Sequence, residues 1–141
     1  MYKPKYFTIE ELVSPSVHKE VHEEALWNMF DPDAIKAIDW LRERYGAATI
    51  NDWKWGGNFT ESGLRTRSDE HYSEGSQHSR GAAFDLKFKF VTAQHIRDDL
   101  AAYELEGGKI PDGIRRIERG VTWLHIDCKE TGQDKIYWFN P

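Results

Sequence analysis

Apolar residues recur along the chain with two different periods, which together predict a mixture of helices and strands. Between Asp31 and Gly46 they fall three or four positions apart, with Pro32 in the first turn, and this predicts an amphipathic helix. Thr92 precedes a second segment of the same kind, which ends at the Gly107–Gly108 pair. Both segments have a capping residue at the start and glycine at the end, so their boundaries are predicted as well as their type.

Strict alternation of apolar and charged residues marks the clearest strand, from Phe84 to Phe90, and predicts one buried and one charged face. Further strands are predicted at 48–55, 114–118, 121–129 and 135–139. Gly132 and Asp134 predict a hairpin turn before the last of them. The strands cluster late and do not alternate regularly with helices. We therefore expect an α+β fold with a mostly antiparallel sheet flanked by helices.

Two other segments predict local structure. Thr8 and Glu11 have the spacing of a capping box, which predicts a short helix that the Ser14-Pro15 pair ends. Residues 56–79 are polar and without a period, so we expect a long loop there. A loop of this length in a compact domain is usually either functional or mobile.

The length of 141 residues fits a single domain over residues 1–141. Nineteen Lys and Arg against 24 Asp and Glu leave a net charge of -5, which argues against nucleic acid or an anionic membrane as the main partner. A single cysteine, Cys128, excludes an intramolecular disulfide and a Cys-based zinc site. The first residues lack the apolar stretch of a signal peptide, so we expect synthesis in the cytoplasm. Any metal ligands must be histidine and carboxylate.

Two segments carry the candidate chemistry. In the run SQHSRGAAFD at 76–85, His78 lies just before a predicted strand and Asp85 lies within it. In WLHID at 123–127, His125 and Asp127 share one strand face, while the intervening apolar residues face the other. Adjacent strands lie about 4.8 Å apart. If the two strands pair, His78, Asp85 and His125 can converge on one zinc ion and leave a fourth position open, as in catalytic sites.

The run 76–85 resembles the S-x-H-x-x-G-x-A-x-D motif of the M15 peptidases. That family includes zinc D-Ala-D-Ala carboxypeptidases, phage endolysin L-alanyl-D-glutamate peptidases and, more distantly, the Hedgehog signalling domain. The W-x-H-x-D segment is similar to the family's third-ligand strand, and residues 63–66 are similar to its upstream S-G-Y-R-S segment. Residues 6–12 resemble the start of phage-encoded members. The likeness spans most of the chain, with the motifs in the family's order.

The resemblance implies a Hedgehog-like or D-Ala-D-Ala peptidase-like fold that binds zinc through His78, Asp85 and His125. It further implies that Arg65 holds a substrate carboxylate or carbonyl, for which a bidentate guanidinium is suited. Ser76 either binds substrate or caps the turn. The implied activity is attack of a zinc-activated water on peptide bonds of bacterial peptidoglycan by a monomer. The implied route to the wall is release during phage lysis or carriage in the virion.

The general base is the point at which the chain departs from the family. Many members have an acidic residue three positions before the third ligand, where this chain has Thr122. Glu118, on the preceding strand or turn, and Asp127, two residues after His125, are the two replacements. We favour Glu118 slightly, because a tight turn can aim it across the site. Asp127 would then orient a metal ligand.

Two other functions compete with hydrolysis. The first is a non-catalytic zinc-binding module on the same scaffold, a phage structural or host-interaction protein, which Thr122 supports. The second, more distant, is a metal-free structural protein. A rival metal site at His18 and His22 would share one helix face, but Glu20 fits neither zincin pattern, so we expect a solvated surface there. We expect surface positions for His71 and His95, which have no partners at ligand spacing.

Overall fold

A computed structural model describes residues 2–141 of the protein. Its helices are α1 (Pro15–Glu20), α2 (Glu23–Trp27), α3 (Pro32–Tyr45) and α4 (Ala93–Leu105). Its strands are β1 (Ala48–Thr49), β2 (Ala83–Phe88), β3 (Arg116–Glu118), β4 (Leu124–Asp127) and β5 (Tyr137–Phe139). Short 3-10 turns occupy Ile9–Glu11, Trp53–Trp55 and His78–Arg80. The fold therefore mixes α-helices with one β-sheet.

The five strands form one mixed sheet in the order β1-β2-β4-β3-β5. The first three pairs along this order are antiparallel, whereas β3 and β5 run parallel. The predicted hairpin at residues 132–134 is therefore wrong, because β5 joins the far side of β3. Ile136 explains this path: its side chain is buried and its N–H donates to the Glu104 carboxylate of α4 at 3.0 Å. This contact holds the chain against α4 immediately before it enters the sheet.

The two long helices form where the periodicity predicts them. The Asp31 side chain accepts the N–H of Asp33 at the start of α3, and Gly46 ends that helix with φ of 89°. At the start of α4, the Thr92 hydroxyl accepts the N–H of His95. α3 contacts β2 and α4 contacts β4, which buries one face of the sheet. No helix within residues 2–141 is both long enough and apolar enough to cross a membrane.

Several predicted boundaries are wrong. Ser14 begins α1 rather than ending a helix, because its hydroxyl accepts the N–H of Val17. Thr8 makes no side-chain cap, and only a 3-10 turn follows it. The strand predicted at 48–55 is two residues long, since the Trp53 indole N–H turns away to bond the Val13 carbonyl. β2 ends before Phe90, whose side chain is 75% exposed.

Candidate metal centre

The antiparallel register of β2 and β4 brings the two motifs together. Asp85 lies directly opposite His125 on the sheet face that the helices leave uncovered, and His78 lies in the 3-10 turn before β2. The Asp85 Oδ1 atom is 2.8 Å from His125 Nδ1 and 3.4 Å from His78 Nε2. One ligand atom from each of the three residues lies within 4.8 Å of the other two. The structure thus assembles the donor set that strand pairing predicts.

His78 is held by the loop that precedes it. Its Nδ1 lies 2.9 Å from the Gly63 carbonyl oxygen, which can only accept, so Nδ1 carries the proton and Nε2 presents its lone pair to the centre. Gly63 is fixed in turn, because the Leu64 N–H donates to the Leu12 carbonyl. A Cβ on Gly63 would overlap that same oxygen, so only glycine fits. The amino-terminal segment therefore orients a candidate metal ligand.

His125 is held from the opposite side. Its Nε2 lies 2.8 Å from Asp127 Oδ2, while its Nδ1 faces Asp85. The Asp127 carboxylate is fully buried and also accepts two hydrogen bonds from Arg116, each 2.8 Å long. The Lys129 N–H supplies a further bond to Asp127 Oδ1 at 3.1 Å. Both oxygens of Asp127 are therefore engaged, and the carboxylate fixes the orientation of the His125 ring.

Charge in the metal-free centre favours a protonated His125. Burial opposes the imidazolium, but hydrogen bonds to Asp127 and Asp85 outweigh it and raise the pKa of His125 to about 9. Burial would likewise raise the pKa of Asp85, yet its bonds to His125 and His78 lower that pKa well below the usual range. A metal bound at Nδ1 must displace this proton, so metal binding competes with protonation of His125.

This charge pattern predicts that the metal-free protein loses stability as the pH rises above 6.5. The pKa of His125 is about 9 in the folded state against 6.5 ordinarily, so its contribution is complete below pH 6.5 and is lost as the pH passes 9. Asp85 acts in the opposite sense, since its lowered pKa contributes stability above its ordinary value of 3.8. Thermal unfolding in the presence of a chelator should give the highest Tm between pH 3.8 and 6.5. A Tm that is constant or rising from pH 6.5 to 9 would contradict this account.

The remaining predicted site residues lie around this centre in different ways. Arg65 Nη2 is 3.6 Å from Asp85 Oδ2, and its Nε donates to the Glu61 carbonyl. The Ser76 hydroxyl accepts the His78 N–H at 3.2 Å, which matches the turn-capping alternative. Glu118 is the last residue of β3, in which Arg116 pairs with Asp127 and Ile117 pairs with Ile126. Continuing this register places Glu118 opposite His125, with both side chains on the same face of the sheet. Within residues 2–141 the Glu118 carboxylate makes no ion pair or hydrogen bond.

Three residues around the centre were missed by sequence reasoning. Lys87 shares the strand face of Asp85, so the alternation of β2 could have identified it. Arg116 depends on the pairing of β3 with β4, which no local signal gives. The Phe139 ring stacks edge-on against His125 at 5.7 Å and lies 4.1 Å from the Arg116 guanidinium. The parallel position of β5 brings Phe139 there.

The other histidines lie outside this centre. α1 ends at Glu20 and His22 caps α2, so the predicted shared helix face of His18 and His22 is wrong. His71 is exposed as predicted, but the prediction that it lacks partners is wrong, since it forms a second group of possible ligands with Glu61 and Glu70. The loop folds back there because the Glu61 carboxylate accepts the His71 N–H at 2.8 Å.

No protein-family model, no curated protein and no solved structure matches the chain. The chemistry of the centre formed by His78, Asp85 and His125 therefore provides the basis for a functional proposal.

Proposed function

We propose that the protein is a zinc peptidase of M15 type that hydrolyses peptide bonds of bacterial peptidoglycan, on a Hedgehog-like scaffold. One observation carries the proposal: one ligand atom each of His78, His125 and the Asp85 carboxylate lies within 4.8 Å of the other two, with His78 Nε2 and His125 Nδ1 both facing Asp85 Oδ1. The substrate would be the stem peptide, and release during phage lysis or carriage in the virion would bring the protein to it. The resemblance of residues 76–85 and 123–127 to the M15 motifs supports the same assignment.

The residues fit zinc by their chemistry. Two imidazole nitrogens and one carboxylate are a common donor set for a catalytic zinc site, with the fourth position left for water or substrate. The second nitrogen of each imidazole bonds a protein acceptor, Gly63 O for His78 and Asp127 for His125. Such bonds fix the ring and its tautomer in zinc sites. Zinc bound here would supply Lewis-acid chemistry that promotes attack of water on a peptide carbonyl.

The surrounding residues divide the remaining work. Arg65 is anchored by its Nε on the Glu61 carbonyl, so its guanidinium is held beside Asp85, and we assign it the binding of a substrate carboxylate or carbonyl. Asp127 has both oxygens engaged and serves to orient His125. Glu118, unlike Asp127, makes no hydrogen bond or ion pair through its carboxylate within residues 2–141. We therefore assign it the role of the general base that takes the proton of the attacking water.

A non-catalytic zinc-binding module is the second candidate. Its supporting observation is Thr122, which is exposed and places a neutral side chain three residues before His125. In this function the same three ligands hold a structural metal, and the protein serves in a virion or in contact with a host. Hydrolysis distinguishes the two candidates directly.

The decisive experiment incubates purified peptidoglycan with the zinc-loaded protein and measures the release of new amino groups. We expect amino groups to be released, and we expect a chelator to abolish this release. Glu118→Gln should keep zinc but reduce the rate by roughly 10²- to 10⁴-fold, the usual contribution of a general base. Glu106→Gln, at an exposed position after α4, is the matched control and should behave as the parent protein.

Two other outcomes have clear meanings. Inactivity on every wall fragment with zinc bound would favour the non-catalytic module. Full activity of Glu118→Gln would instead overturn the general-base assignment and leave the zinc peptidase proposal standing.

A further inference from the structure

The β3–β4 loop, residues 119–123, joins Glu118 at the end of β3 to the strand that carries His125. Its own amides bond little of the protein. Within residues 2–141, the Arg119 N–H, which donates to the Phe139 carbonyl at 2.8 Å, is the one amide of this loop with a hydrogen-bond partner. The conformation of the loop therefore depends on the contacts of its carbonyl groups.

Arg97, on α4, supplies the donors for these carbonyls. Its Nη2 donates to the Val121 carbonyl at 2.8 Å, and its Nη1 donates to the Trp123 carbonyl at 3.2 Å. A longer contact of 3.5 Å joins Nη1 to the Glu118 carbonyl. The Nε of Arg97 donates to Gln94 Oε1 at 3.0 Å, which fixes the plane of the guanidinium. One planar group thus contacts the loop at its middle, at its end and at the residue before it.

The burial of Arg97 is difficult to explain by packing alone. The residue is only 5% exposed, yet within residues 2–141 no carboxylate oxygen lies within ion-pair distance of its guanidinium. A buried charge is costly, and an apolar side chain of similar volume often gives equal or greater stability at such a position. An apolar side chain cannot bond carbonyl groups, however. The arginine therefore contributes a defined conformation of the β3–β4 loop rather than a better core.

We propose that Arg97 is a positioning residue of the candidate active site, which fixes the β3–β4 loop and through it the carboxylate of Glu118. α4 packs on the covered face of the sheet, whereas the Glu118 side chain shares the uncovered face with His125. Arg97 thus acts through the backbone and does not touch the centre. The hold of Arg97 on the loop rests on its hydrogen bonds, and its effect on catalysis rests on the proposed function.

The first test compares Arg97→Met in two backgrounds, at equal zinc content and saturating peptidoglycan. In the parent protein we expect kcat to fall by roughly 10- to 100-fold, because a displacement of about 1 Å at a catalytic group can cost that much. In Glu118→Gln the same change should have almost no further effect, since the carboxylate that Arg97 positions is already absent. Arg67→Met removes an exposed arginine and should leave kcat unchanged in both backgrounds.

Two results of this test would overturn the positioning role. One is an equal fold-loss in both backgrounds, because a residue that only stabilises the fold affects both alike. The other is an unchanged kcat for Arg97→Met in the parent background.

The second test needs no hydrolysis of peptidoglycan. Trypsin cuts after Arg119 only when the β3–β4 loop opens, so its rate of cutting reports the population of the open loop. We expect Arg97→Met to be cut there roughly tenfold faster than the parent protein, the usual effect of losing one hydrogen bond to a charged group. Arg67→Met should be cut there at the parent rate. Mass spectrometry of the fragments locates each cut.

An unchanged rate after Arg119 would overturn the hold on the loop. A rise that is equal at every tryptic site would overturn it too, because it would show only a global loss of stability. If Arg97→Met fails to fold, Gln94→Ala replaces it in both tests. Gln94 is exposed and only fixes Nε, so we expect effects of roughly threefold, and no effect in either test would overturn the proposal.

The two proposals fail separately. If the parent protein cleaves no wall fragment, the peptidase is rejected, while faster cutting after Arg119 in Arg97→Met keeps the hold on the loop. If the parent protein cleaves the wall and Arg97→Met is equally active, the positioning role is rejected and the peptidase is kept.

Discussion

We expect replacement of His125 with alanine to abolish zinc binding at the proposed centre. Its Nδ1 is one of only three donor atoms in the centre, and the two that remain, from His78 and Asp85, are too few for a stable site. We expect an affinity loss well beyond the roughly 10- to 100-fold that follows loss of a supporting residue. His78→Ala should have the same effect. Metal analysis after dialysis should find about one zinc ion per chain in the parent protein and almost none in either variant.

The matched control for these variants is His95→Ala. His95 is exposed on α4, so its substitution removes the same kind of side chain without affecting the centre. Its zinc content should equal that of the parent protein. Full zinc binding by both His78→Ala and His125→Ala would reject the metal centre, and with it the proposed peptidase.

We expect Asp127→Ala to lower both the stability of the protein and the affinity of the proposed centre for zinc. Asp127 is fully buried, and its removal leaves the Arg116 guanidinium without its partner while Nε2 of His125 loses its acceptor. Breaking a buried ion pair from one side costs about 3 kcal/mol or more in the free energy of unfolding. Loss of the residue that orients a zinc ligand weakens binding by roughly 10- to 100-fold. Urea unfolding of the metal-free protein and zinc competition with a chelator measure the two effects.

One control and one further variant accompany Asp127→Ala. Asp134→Ala removes an exposed carboxylate near β5 and should change neither quantity. Asp127→Asn keeps an acceptor for His125 but not the charge opposite Arg116, so it should lose stability more than zinc affinity. If Asp127→Ala unfolds at the same urea concentration as the parent protein, the ion pair with Arg116 makes no net contribution.

Local sequence was sufficient for the elements that carry their own signals. α3 and α4 could be predicted because a cap, an apolar stripe and a terminal glycine all lie within one segment. Alternation in β2 and β4 likewise predicts which side chains share a face, and Leu124 and Ile126 are indeed fully buried. The loop at 56–79 has no such period, so its contacts, including the bond from His78 to Gly63, could not be predicted.

The sequence by itself determined the chemistry available to this protein: two histidines and an aspartate at strand spacing, and no cysteine set to replace them. The tertiary structure alone decided how these groups are held. The Arg116–Asp127 pair, the Phe139 ring over His125 and the Ile50 carbonyl bonded to Lys87 all join segments distant along the chain. The physical reason is that strand order and register depend on which apolar faces are buried together, and this is a property of the whole core rather than of any one segment.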